Sequence, residues 1–161
     1  MPTRPLPTRV VLAAALLVAL PGCTPTSGNE VPMAEAILQE YFRALSEGRF
    51  SSAADVYGGD YDELAANNPD IDPEDHAALF NRWCTQNGGV CLPVRDVVSR
   101  DVLEDGGIRF RVRFSNPDGS LFEIGPCCGE ADTGQRTSEF DFVVRRIGGE
   151  LKVLQLPPYV P

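Results

Sequence analysis

Five cysteines are the residues of this chain best placed for covalent chemistry: Cys23, Cys84, Cys91, Cys127 and Cys128. Cys23 follows a positive start, with Arg4 and Arg9 and no acid before Glu30, and an unbroken apolar run from Val10 to Leu20. A spanning helix needs about 20 apolar residues, so this run is too short to cross a bilayer and stay. A positive end followed by a short apolar run is the layout of a secretory signal. Export brings the other four cysteines into an oxidising compartment, where an even set pairs. Bridging Cys127 to Cys128 would strain the backbone, because adjacent Cα atoms lie about 3.8 Å apart, below the usual disulfide range. The expectation is that Cys84 and Cys91 each pair with one of Cys127 and Cys128, tying two distant loops together at about 2–4 kcal/mol per bridge. The competing arrangement is a four-thiolate zinc site. The wide Cys84–Cys91 spacing and the Cys-Cys pair suit a tetrahedron poorly. The chain has no C-x-x-C for redox catalysis.

Other side chains carry chemistry by type. His76, the one histidine, could move protons near neutral pH. Its neighbours Glu74 and Asp75 place it instead at a solvated helix end. Asp60, Asp62, Asp70, Asp72 and Asp75 suggest calcium. An EF-hand loop counted from Asp70 fails, with Pro73 at the fourth position and Asp75 where glycine is needed. Helix capping accounts for Asp60 and Asp72. No metal and no cofactor are expected. Arg109, Arg111 and Arg113 share one strand face, and Glu139 and Asp141 share another. If those strands are neighbours, cross-strand ion pairs follow on the solvated side of a sheet. No phosphate-cradling glycine loop or nucleophile elbow is present. The formal net charge is −9. Arg4 and Arg9 lie in the leader, so the remainder is more acidic still, which disfavours nucleic acid as a partner.

These residues need elements to position them. From Met33 to Glu47, Ile37, Leu38, Tyr41, Phe42 and Leu45 recur at helical steps, with Pro32 at the start and Gly48 at the stop. A second short helix is expected over Ala53 to Tyr57, and a further turn through Leu64 to Ala66. A third helix, capped by Asp72 with Pro73 in its first position, carries Leu79, Phe80 and Trp83 and ends near Cys84. Strands are expected over Val94–Leu103, Ile108–Phe114, Leu121–Ile124, Ser138–Ile147 and Leu151–Leu156, with strict alternation at Ile108–Phe114. Helices first and antiparallel strands after read as α+β, with helices packed on one sheet face.

Two resemblances follow from these residues. Leu-Pro-Gly-Cys23 resembles the lipobox of bacterial lipoproteins, whose cysteine sulfur receives a diacylglyceryl group, although Pro21 stands where Ala, Ser, Thr or Val is usual. The resemblance implies a signal peptide over 1–22, a lipidated Cys23 with a flexible tether over 23–32, and a domain over 33–161. Two or three acyl chains of the palmitate type, at about 0.8 kcal/mol per buried methylene, would anchor it extracytoplasmically in a bacterial cell envelope. Thr24, rather than Asp, after the cysteine favours the outer membrane in a cell with two.

From Tyr41 to Tyr57, Tyr-Phe-Arg-Ala-Leu-Ser-Glu-Gly-Arg-Phe-Ser-Ser-Ala-Ala-Asp-Val-Tyr, followed by helical turns and long strands, resembles the NTF2-like (cystatin-like cone) superfamily over Met33 to Leu156. That superfamily includes ketosteroid isomerases, SnoaL-like enzymes and many non-enzymatic binding domains. The resemblance implies a curved antiparallel sheet wrapped on the first helix, with a pocket between them. Tyr41, Tyr57, Trp83 and Glu123 are the candidate pocket residues, and Tyr61 and Asp96 also have the residue types such chemistry uses. None aligns with a catalytic pattern, so no catalytic residue is assigned. The function expected is non-catalytic binding of a small ligand or an envelope protein. A SnoaL-like isomerase or dehydratase is the alternative, marked by Glu123 or Asp96 pointing into the cone. A structural role in envelope assembly is a third reading, marked by a large exposed apolar patch.

Overall fold

The computed structural model describes residues 29–125 and 136–160. The expected leader, the anchor at Cys23, and Cys127 and Cys128 lie outside those residues. Among the described residues four helices come first: α1 (Glu30–Ser46), α2 (Phe50–Val56), α3 (Asp62–Ala66) and α4 (His76–Thr85). Four strands follow: β1 (Val94–Val102), β2 (Ile108–Phe114), β3 (Phe140–Ile147) and β4 (Glu150–Val153). The strands form one antiparallel sheet in the order β1-β2-β3-β4. The α+β arrangement expected from the sequence is the one observed. Among the described residues no helix is long and apolar enough to cross a membrane.

Helix α1 lies on the sheet and touches all four strands. Its buried face is Ala34, Leu38, Tyr41, Phe42 and Leu45, the three- and four-residue spacing that puts side chains on one stripe. The helix starts at Glu30, ahead of Pro32, because a proline in the first turn gives up an amide that has no helical partner anyway. Its end is closed by two backbone bonds: Arg49 donates to Ala44 at 2.8 Å and Gly48 to Leu45 at 3.2 Å. The last helix begins at His76 rather than near Pro73. Asp72 spends its side chain on the amide of Glu74 and its carbonyl on that of Asp75, which makes a turn. Asp75 then caps α4 by accepting from the Ala78 amide at 3.0 Å.

The interior is aromatic. Phe42 meets Phe114 and Phe142 edge-on at 4.7 and 4.8 Å between ring centroids. Tyr41, Phe42, Phe110 and Phe114 are fully buried. Where the resemblance implies a pocket, between α1 and the sheet, the molecule holds these packed rings. The expected strand at Leu121–Ile124 is reduced to two isolated bridges, Ser115 to Leu121 and Ile124 to Thr137. The outer sheet face matches expectation. Arg111 bonds Asp141 at 2.8 Å, Arg113 bonds Glu139 at 2.6 Å, and Arg109 lies 3.6 Å from Asp101.

Candidate functional site

Cys84 and Cys91 are bonded to each other, with Cα atoms 5.5 Å apart. This corrects the expected pairing with Cys127 and Cys128, since neither cysteine is left to bond them. The physical reason is the tight reversal at Gly88 and Gly89 between the two. Gly88 has φ +81°, and a Cβ on Gly89 would stand 2.2 Å from Cδ1 of Trp83. The glycines let the chain fold back over the indole and bring the sulfurs together. Two thiolates are thereby withdrawn from the four-thiolate zinc arrangement. Among the described residues no group of His, Cys, Asp and Glu is arranged to hold a metal.

The C-terminal segment closes over the same loop. Val90 donates to Pro158 at 2.7 Å, Val160 donates to Gly88 at 3.0 Å, and Gly89 bridges Tyr159. The loop from Cys84 to Cys91 is thus fixed by one covalent bond and a short antiparallel pairing. Between it, α3 and α4 opens a cleft of about 650 Å³. Its walls carry the carboxamides of Asn67, Asn68, Gln86 and Asn87, with Tyr159 and Trp83 as aromatic members. Asn68 is buried, donates to the Leu64 carbonyl at 2.7 Å and accepts from Asn87 at 3.4 Å. One amide therefore caps the end of α3 and couples it to the disulfide loop. Asn67 bonds the Glu63 carbonyl at 2.9 Å. The tilted rings of Trp83 and Tyr159 lie 5.8 Å apart, the former buried and the latter 55% exposed.

The charges of this cleft are Arg82 and Glu63. Arg82 is committed to Asp70 at 3.0 Å, and this bond holds the Asp70 carboxyl below its ordinary range. A second, more apolar cleft of about 760 Å³ runs beside the start of α1 and the β3–β4 hairpin, lined by Met33, Ile37, Val56 and Leu151.

The four candidate pocket residues do not converge. Tyr41 and Tyr57 stack in the core at 6.0 Å. Their hydroxyls donate to the carbonyls of Gln155 at 3.5 Å and Asp60 at 3.0 Å. Burial pushes both phenols well above their ordinary pKa. Trp83 alone of the four lines the polar cleft. Glu123 is exposed, 3.8 Å from Arg136, and Asp96 is exposed beside Arg95 and Arg113. His76 stacks on Tyr61 at 3.7 Å. Asn67, Asn68, Gln86, Asn87 and Tyr159 were not expected at a site. The legible signal was the Gln86-Asn87-Gly88-Gly89 run between two cysteines, which reads equally as an ordinary turn. Neither a family model nor a curated protein matches this chain.

Proposed function

We propose that this is a lipid-anchored, extracytoplasmic domain of NTF2-like descent that binds a ligand and performs no chemistry on it. The disulfide-clasped amide cleft carries the reading. It offers hydrogen-bonding groups on a rigid frame, and its charged walls consist of one arginine already paired and one exposed glutamate. A binding site needs polar groups held in place, whereas acid–base catalysis needs titratable groups converging on one point. The Cys84–Cys91 bond supports an oxidising compartment. The exposed positions of Glu123 and Asp96 count against the SnoaL-like alternative, which needs an acid inside the cone.

Native mass spectrometry of the protein purified from its own envelope tests the binding reading. A discrete additional mass of small-molecule size is the expected result. Turnover of a bound compound into a product of different mass would overturn it. Fractionation tests the anchor. Cys23→Ser should move the protein from the membrane to the soluble fraction, and retention on the membrane would end the lipoprotein reading.

A further inference from the structure

We infer that the cleft between α3, α4 and the C-terminal segment is a site for neutral sugars, an inference that rests on the reading of the domain as a binder. Of its carboxamides, Asn68 is buried and spent on the Leu64 carbonyl and Asn87. Asn67 and Asn87 each spend one N–H and keep a second N–H and an oxygen, and Gln86 keeps its whole amide, so three of the four present a donor and an acceptor a few bonds apart. A sugar hydroxyl is also both donor and acceptor, so amides and hydroxyls match in either direction. A fixed charge on the ligand would call for an opposite charge in the wall. Arg82 is already neutralised by Asp70, Glu63 is acidic, and the chain carries a net −9. That balance turns away phosphates and carboxylates. A purely apolar ligand would leave the amides desolvated and unpaired.

The aromatic component completes the match. A pyranose ring has a face of C–H groups and a rim of hydroxyls. Tyr159 offers an exposed ring at the cleft edge, braced from beneath by Trp83. An apolar face can lie on Tyr159 while the rim meets the amides. The frame is in place before the ligand arrives. The Cys84–Cys91 bond, the pairing of Gly88 and Val90 with the C-terminal segment, and the Asn68–Asn87 link fix the walls. Preorganisation reduces the ordering cost of binding.

Trp83 is the chain's one tryptophan, so intrinsic emission reports on this cleft. The whole protein, with its disulfide intact and in a detergent without a sugar headgroup, is titrated with chitotriose, cellotriose and maltotriose. Glucose 6-phosphate is the charged control. The expected result is a saturable change with at least one trisaccharide and none with the phosphate. Tyr159→Ala should weaken that binding about tenfold or more, while Tyr159→Phe keeps the ring and stays within about threefold of the parent. Circular dichroism of both variants should match the parent, because Tyr159 is exposed. No saturable response to any of the three sugars, or equal affinity in Tyr159→Ala, overturns the inference. Sedimentation with purified cell-wall glycan separates a polymeric source from a free oligosaccharide. A bound sugar that is converted to product would refute the non-catalytic reading and leave the sugar site standing. A non-sugar mass carried from the envelope would do the reverse.

Discussion

The outer face of the sheet and the cleft at the helical end are both polar, yet their side chains are in opposite conditions. On the sheet, Arg111 and Arg113 are matched across the strands by Asp141 and Glu139. In the cleft, the amides of Gln86 and Asn87 sit on a covalently fixed loop, and Tyr159 stands largely exposed beside it. The sheet face has the more conspicuous chemistry in the sequence, but its groups satisfy one another. The lesson is that a charged stripe with its complement one strand away is a closed system. A cluster of weaker polar groups on a rigid loop can still accept something.

The strongest way to break this comparison is to remove the packing beneath the sheet. Phe42 is fully buried between Phe114 and Phe142. Phe42→Ala should cost about 3–5 kcal/mol from lost burial plus the cavity left behind. Chemical denaturation read by circular dichroism checks this, and a loss below about 1 kcal/mol would mean the interior collapses to refill the space. The cleft can then be broken alone. Replacing Cys84 and Cys91 together by serine should cost about 2 kcal/mol, the low end for disulfides because the closed loop is short. The midpoint of denaturation should fall while its slope stays the same. Peptide mapping without reductant should recover Cys84 and Cys91 in one crosslinked species. A peptide joining either to Cys127 or Cys128 would restore the pairing expected from the sequence.

How far each region could be read in the sequence follows from how local its determinants are. Strand β2 was expected over Ile108–Phe114 and is found there, because strict alternation assigns each residue to a face without knowledge of its partner. The ion pairs followed from that register once β3 proved to be its neighbour. Leu121–Ile124 was also expected as a strand and did not become one. The Asn116 amide bonds the Leu121 carbonyl at 3.2 Å and the Ser120 hydroxyl at 3.0 Å, so turn chemistry claims that stretch of backbone. The cleft was illegible for a further reason. Its walls come from the end of α3, the end of α4 and the C-terminal segment, three separate pieces with no shared period. The expected pairing fails at its premise that all four cysteines must pair: once an adjacent Cys127–Cys128 bridge is excluded, that premise also excludes the Cys84–Cys91 bond that the glycine turn permits.

The two regions should also part company with pH. In the helical half, burial raises the phenols of Tyr41 and Tyr57, and that of Tyr61 to about 12. A raised folded pKa means the native state holds its proton more tightly than the unfolded chain. The stabilisation is complete below the unfolded tyrosine value of about 10 and is lost as pH rises through the folded value. Stability should therefore decline steeply above about pH 10, with phenolate absorbance appearing together with unfolding. Phenolate that forms fully in a still-folded protein would show these rings to be wetter than their packing indicates.

The smallest effect belongs to the sheet face. Arg111 holds the Asp141 carboxyl below its ordinary range, chiefly through their hydrogen bond. A depressed folded pKa contributes stability above the unfolded value and loses it as pH falls through the folded one, so this pair's contribution is present at neutral pH and changes only on the acid limb. Both side chains are more than a third exposed, so solvent screens most of the attraction. Arg111→Ala should lower stability at neutral pH by the least of these changes, by less still in high salt, and not at all once Asp141 is protonated. A double-mutant cycle with Asp141→Asn isolates the pair. A coupling of about 2 kcal/mol or more would exceed what an exposed pair supplies. It would mean that Arg111 is held by the neighbouring Glu139 and Asp101 as well as by Asp141, so that the stripe acts as a network and not as separate pairs.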